Sequence, residues 1–346
     1  MRIAQLAPLA ERVPPKKYGG TERVVYALTE ELVRRGHEVT LFASGDSITS
    51  AKLESVYPRG LREARLRDLY GANTWTLLNI GTVYDRQNEF DIIHDHLVPL
   101  TLPTAHIATT PVVGTMHMHF TSENRKLFQT LKKPWIVTIS ESQMYPVPNL
   151  THAGTVYNGL PMENYPFSAD HDDYLLYVGR FSIEKGVHFA VQTALELDQR
   201  LIIAAKLEKS SESYFREYIE PYLSDRIQWV GEVDEEERNK LMSRAKCFLH
   251  PVIWREPFGL TLIEAMACGC PVIAFNRGSI PEIVRNGVTG YVVQDTVAMV
   301  DAVDNIHTID RAACREHALS NFNASRMADG YENVYQRILS GELSHT

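Results

Sequence analysis

The 346-residue chain has no run of about 18 consecutive apolar residues, so the sequence contains no spanning helix. It also lacks an excess of positive charge. Lys and Arg number 35 against 43 Asp and Glu, a net charge of −8. Nothing global in that balance favours nucleic acid or an anionic membrane. Cysteine is scarce, with only Cys247, Cys268, Cys270 and Cys314. None forms a zinc-type double CxxC, and no histidine pair stands at ligand spacing from them. They read as small buried residues of a reduced cytosolic protein, with Cys268 and Cys270 bracketing Gly269 where a helix gives way to a strand. Short internal repeats and low-complexity tracts are absent. The amino terminus enters a short strand directly, without the length or cleavage pattern of a signal peptide.

What is present is an alternation. Apolar residues make up 44% and charged residues 23%, and the length suits two domains that each bury a core. Short apolar runs near 2–6, 38–43, 91–94, 111–116, 135–139 and 153–156 predict parallel strands covered on both faces. A first long helix is expected from Thr21 to Arg35, with Val24, Val25, Ala27, Leu28 and Leu32 inward and Gly36 ending it. The second half repeats the pattern, with strands near 174–178, 201–205, 227–230, 246–250, 271–275 and 290–293. Helices are expected near 184–197, 212–222, 234–244, 259–268 and 297–306. The Gly-, Pro- and polar-rich stretch from Asn158 to Asp173 reads as the linker between the halves.

The most informative segment runs from Arg255 to Glu264 and carries two glutamates with seven residues between them. It leaves an apolar strand, turns through Pro257 and Gly259 and enters a helix. Glu256 falls on the loop and Glu264 inside the first two helical turns. The amides of Phe258, Gly259, Leu260 and Thr261 are then the donors of a helix start, where the dipole adds positive potential. A donor-rich anion site between two carboxylates suits a phosphate flanked by hydroxyls, as in a nucleotide sugar. A capped helix with two solvated glutamates would share this spacing. Arg180 and Lys185 strengthen the first reading. They flank a strand-to-helix turn at the carboxyl end of the strand 174–178, where open α/β sheets bind ligands, and together they can neutralise a diphosphate. Lys206 and the turn Gly231-Glu232-Val233 point at the same sheet edge and are candidate walls for a nucleoside.

Three weaker signals remain. Tyr18-Gly19-Gly20-Thr21 precedes the first helix, and its glycines allow close approach to a ligand. The stretch is not a GxGxxG, which argues against a dinucleotide-dependent oxidoreductase. Histidines cluster at strand ends as His94 and His96, then His117 and His119, with no partner set that completes a metal site. Four arginines between Arg59 and Asp68 could face an anionic acceptor or give a weak peripheral membrane contact. Two interrupting acids favour a solvated helix face instead.

The strings VGRFSIEKG (178–186), EPFGLTLIEAMACGCPVIAF (256–275), GSIPEIVRNGVTGYVV (278–293) and YGGTERVVYALTEELVRRGHEVTLFAS (18–44) resemble the retaining glycosyltransferases of family 4. Four separated motifs occur in the family's order, and the likeness is weakest from Lys52 to Glu89. The resemblance implies the α/β GT-B fold: two Rossmann-like doubly wound domains facing a central cleft, with a last helix crossing back to the first domain. Met327, Tyr331, Val334, Tyr335 and Ile338 supply the apolar stripe of such a helix. The domains would be 1–157 on the acceptor side, 158–322 for the nucleotide sugar and 323–346 for the returning helix. The likeness also places Gly19 and Gly20 under the donor diphosphate and His117 beside the donor sugar, with His119 as the fallback if the register slips by two.

The expected activity is retaining transfer of a hexose from a nucleoside diphosphate sugar to an unidentified acceptor hydroxyl, in the cytoplasm. A UDP-hexose such as UDP-glucose is the first expectation and GDP-mannose the second. Glu256 would hold sugar hydroxyls and Glu264 ribose hydroxyls. Arg180, Lys185 and the helix-start amides would stabilise the leaving diphosphate. By the resemblance, the leaving phosphate takes the acceptor's proton. The motif cluster contains no DxD, so no essential metal and no cofactor are expected. A nucleotide-sugar 2-epimerase of the same architecture would convert donor without acceptor. A catalytically dead binding module would have lost a group that is present here as Glu256, Glu264 or His117.

Overall fold

The computed structural model describes residues 1–17, 19–64, 69–144 and 150–343. Two compact units result. The first joins Met1–Pro161 to Asn323–Thr346, and the second is Met162–Phe322.

Seven strands form the sheet of the first unit: β1 (Arg2–Leu6), β2 (Glu38–Phe42), β3 (Lys52–Glu54), β4 (Ile92–Asp95), β5 (Val112–Met116), β6 (Trp135–Thr138) and β7 (His152–Thr155). Their order is β3-β2-β1-β4-β5-β6-β7, and every pair is parallel. In β1, β2, β4, β5 and β6 nearly every residue is buried, as continuous apolar runs require when both sheet faces are covered. Successive strands run outward on one side of β1 and then restart at β4, so the switch point lies between β1 and β4. The helix Gly20–Arg34 buries Val24, Val25, Ala27, Leu28 and Leu32. The final helix, Ala324–Leu339, buries Met327, Tyr331, Val334, Tyr335 and Ile338, all five residues of the expected stripe, and packs within this unit. Arg35 ties its first turns down, donating to Asp329 at 2.6 Å and to the Ser325 carbonyl at 2.7 Å.

The second unit repeats the design with β8 (Leu175–Arg180), β9 (Leu201–Lys206), β10 (Ile227–Gly231), β11 (Cys247–His250), β12 (Val272–Phe275) and β13 (Gly290–Val293). The order is β10-β9-β8-β11-β12-β13, again all parallel. Its switch point lies between β8 and β11.

Several elements differ from the expectations. The helix expected from 184 is broken at Gly186, which takes a left-handed φ of 68° between a 3-10 turn (Ile183–Lys185) and the helix Val187–Glu196. The helix expected over 212–222 stops at Tyr218, and a separate short 3-10 turn, Glu220–Tyr222, follows. The short strand β3 and the helices Leu69–Asp85, Leu102–Ile107, Ser122–Thr130 and Arg311–Asn321 are additional. Arg59–Ala64 is a turn, not a helix face. Its backbone instead reaches the loop after β1, with Leu61 N–H donating to the Leu9 carbonyl at 2.8 Å. Residues 65–68 of that arginine-rich segment, and Tyr18 of the glycine loop, lie outside the described residues.

Candidate functional site

At the switch point of the second unit, two loops leave the carboxyl ends of β8 and β11. The loop after β8 brings Arg180 and Lys185. The loop after β11 brings Trp254 and Glu256, and then the helix Leu260–Ala267. The second loop is held from below by the segment after β12. Ser279 donates its N–H to the Glu256 carbonyl at 2.9 Å and its hydroxyl to the Phe258 carbonyl at 3.0 Å. Gly278, at φ 62°, lies so close that a Cβ there would collide with the Glu256 carbonyl. Gly259 caps the helix in a left-handed conformation, φ 84°.

Lys185 and Glu256, expected to serve different parts of a ligand, are joined. Lys185 Nζ donates to Glu256 Oε2 at 2.8 Å and sits 4.4 Å from the centre of the Trp254 ring. Trp254 Nε1 donates to the same oxygen at 2.9 Å, and His250 Nε2 is 3.6 Å away. All three contacts converge on Oε2, so Oε1 is the oxygen that can accept from a ligand hydroxyl. Burial would raise the Glu256 carboxyl, but the Lys185 ammonium and His250 outweigh it and leave the group below the usual carboxylate range. His250 is held neutral because burial lowers it more than Glu256 raises it.

Arg180 and Lys206 face each other in register across β8 and β9. Arg180 donates to Glu184 at 3.1 Å and lies 3.8 Å from Glu208, which also lies 3.8 Å from Lys206. Three cations thus meet at one sheet edge, each with an acidic neighbour. Arg180 is about one-third exposed, and such loosely screened pairs can yield to a stronger anion.

Glu264 sits deeper than the sequence suggested. It is 1% exposed and takes Arg238 Nη2 on Oε1 at 2.8 Å, an almost fully buried ion pair. Phe258 is likewise buried, edge-on to Phe322 at 5.9 Å, so its backbone is the part placed at the helix start. Leu260 and Thr261 stand at that start, half-buried, and Val233 is buried just ahead of the helix Glu235–Arg244. Sequence reasoning missed Trp254, His250 and Arg238. Trp254 is two positions from Glu256 and could have been found. Arg238 lies 26 residues before Glu264 and carries no local signal.

Two family models match the chain: glycosyltransferase family 4 over residues 18–144 and glycosyl transferases group 1 over residues 164–318. The chain belongs to the group 1 glycosyltransferases. It is 27% identical to glycogen synthase of Mycobacterium tuberculosis, over 95% of this chain and 94% of that protein. It is 25% identical to phosphatidyl-myo-inositol mannosyltransferase of Mycobacterium leprae, over 98% and 97%. Among solved structures it is similar to Anabaena HepE in complex with UDP-glucose, with a TM-score of 0.73, 18% identity and coverage of 98% and 100%. This glycosyltransferase therefore has the two-domain GT-B fold.

In the first unit of the glycosyltransferase, histidines follow two strands on one side of the switch point. Gly19 precedes the helix Gly20–Arg34, with Pro15 packed where its side chain would be. His96 follows β4 and His117 follows β5. The rings of His94, His96 and His117 stack at 4.1 and 5.2 Å, and His96 Nδ1 bonds His117 Nε2 at 2.9 Å. Burial lowers His117 to about 4 and takes His94 and His96 well below the usual value, so all three are neutral at pH 7. Metal ligation is a poor use of His94, since both its ring nitrogens are engaged by Tyr335 and Thr115 at 2.6 and 2.7 Å. No helix among the described residues is long and apolar enough to cross a membrane.

Proposed function

We propose that this glycosyltransferase moves a hexose from a nucleoside diphosphate sugar, UDP-glucose or a close UDP-hexose, to an acceptor hydroxyl with retention. The cluster of Lys185, Glu256 and Trp254 beside the start of the helix Leu260–Ala267 carries this reading. As the anomeric C–O bond breaks, negative charge develops on the diphosphate. Lys185, Arg180, Lys206 and the amides of Leu260 and Thr261 are its counterparts on the protein. Glu256 presents Oε1 to sugar hydroxyls, and Glu264 is assigned to the ribose. Lys206 and Val233 flank the nucleoside, Gly19 and Gly20 approach the phosphates, and His117 bonds the donor sugar. The leaving phosphate takes the acceptor's proton. Cationic side chains fill the role a metal would have, so transfer proceeds with chelator present. The free, buried thiols of Cys247, Cys268, Cys270 and Cys314 suit a cytoplasmic enzyme.

Anabaena HepE was solved with UDP-glucose, which favours that donor. The mannosyltransferase among the relatives supports GDP-mannose as the second reading. A thermal-shift panel of UDP-, GDP- and ADP-sugars separates them, because a ligand that binds the native state raises its melting temperature. The reading predicts the largest shift with a UDP-hexose. A shift with GDP-mannose alone replaces the donor, and no shift with any nucleotide sugar removes the proposal.

A further inference from the structure

We propose that Gln5 and His96 are positioning residues that fix the tautomer of His117, holding its proton on Nε2 and leaving Nδ1 as a hydrogen-bond acceptor. The inference rests on the reading of His117 as a donor-sugar contact. It follows from counting protons along one chain of hydrogen bonds.

The chain begins at Gln5, which is fully buried in β1. Its carbonyl Oε1 lies 2.7 Å from His96 Nε2. A carbonyl oxygen only accepts, so His96 carries its proton on Nε2. A neutral imidazole holds one proton, which makes His96 Nδ1 an acceptor. The atom 2.9 Å from that Nδ1 is His117 Nε2, which must therefore be the donor. His117, also neutral, is left with a lone pair on Nδ1. Each bond forces the next.

The other half of Gln5 faces His94 and Tyr335, where its amide nitrogen is placed as a donor. Its amide nitrogen lies 3.4 Å from His94 Nδ1 and donates toward the Tyr335 hydroxyl. Tyr335 gives its own proton to His94 Nδ1 at 2.6 Å, and His94 Nε2 faces Thr115 Oγ1 at 2.7 Å. Thr115 Oγ1 in turn pairs with the Tyr331 hydroxyl at 2.8 Å. A flipped Gln5 would instead donate to His96 Nε2, and the same proton count would then place the His117 proton on Nδ1, the opposite tautomer. The consequence is chemical. A hydroxyl of the donor sugar must give its proton to His117 Nδ1, so the contact selects a ligand group that can donate there.

The decisive experiment is ¹⁵N NMR of histidine-labelled, ligand-free protein, which distinguishes protonated from unprotonated ring nitrogens. His117 is expected to show Nε2 protonated and Nδ1 bare at pH 7. Protonation on Nδ1 overturns the proposal. The Gln5→Leu variant removes the acceptor and should mix the tautomers of His96 and His117. It should lower kcat on the order of 10- to 100-fold, the scale for groups that orient a contacting residue, with little change in UDP affinity. Gln5→Glu keeps an acceptor oxygen toward His96 and should restore both the single tautomer and most of kcat. A folded Gln5→Leu protein with unmixed tautomers and wild-type kcat overturns the positioning role. If the wild-type tautomer is as stated but His117→Ala keeps full kcat, the donor-sugar reading of His117 fails while the tautomer assignment stands.

Discussion

Glu256 and Glu264 carry the same group and differ in everything around it. Glu256 has Lys185, Trp254 and His250 converging on one oxygen, and its carboxylate is stabilised against burial by the Lys185 charge. Glu264 is sealed against Arg238. Glu256→Gln should therefore spare UDP affinity and lower turnover with the sugar donor, whereas Glu264→Gln should weaken UDP and UDP-sugar alike. Calorimetry paired with a transfer assay checks this, and equal loss of UDP binding in both variants reverses the roles. Glu264→Ala should also destabilise the fold by about 1–3 kcal/mol, because it leaves the buried Arg238 with the more exposed Glu235, 3.6 Å away, as its acidic neighbour. Glu22 makes a separate prediction. Burial raises its carboxyl from the usual range to about 7, so the native state holds a proton that the unfolded chain releases. Its contribution to stability is full below the unfolded value and is lost as pH rises to about 7. Glu22→Gln should thus gain stability relative to wild type at pH 8 and not at pH 4.5, read as urea midpoints at the two values. At this scale the sequence exposed residue types and spacing: Arg180, Lys185 and Glu256 were found at one sheet edge. It could not expose partners distant in sequence, such as Arg238 for Glu264 or Gln5 for His96, since those pairs exist only once the sheets form.

The loops that carry these residues are shaped by elements beside them. The Glu256 loop leans on Gly278 and Ser279, which take up its Glu256 and Phe258 carbonyls. Gly278→Ala forces a side chain into the Glu256 backbone and a left-handed φ on an alanine. It should lower both melting temperature and turnover, and a variant with wild-type values in both would mean that the loop is not set from below. Periodicity made most strands legible, because buried parallel strands are unbroken apolar runs. Breaks were harder to read. Gly186 interrupts the helix after β8 because its left-handed conformation lets the chain pass close to Pro251, a contact that no local pattern encodes. Over the described part of the Arg59–Asp68 segment the backbone makes a turn rather than the expected helix, with Leu61 and Arg62 donating to the Leu9 and Ala10 carbonyls of the loop after β1 while Glu63 and Ala64 donate back to Gly60.

Across the whole molecule, two sheets that share a 3-2-1-4-5-6 strand order, the first extended by a seventh strand, each offer a switch point with a different chemistry. The second unit presents cations and a helix start. The first presents neutral, stacked histidines. A cationic edge suits a diphosphate, and neutral imidazoles suit an uncharged hydroxyl. Hydrogen exchange on the intact chain with UDP should accordingly show protection concentrated after β8, after β10 and at the start of the helix Leu260–Ala267. Protection confined to the first unit would contradict the division of labour. The most direct test of the central claim is calorimetric titration of UDP into wild type and Lys185→Ala. Losing one charge-assisted contact of about 1.5–3 kcal/mol predicts affinity weaker by roughly 10- to 100-fold. Unchanged affinity in Lys185→Ala, with UDP bound by the wild type, would contradict the site proposed here.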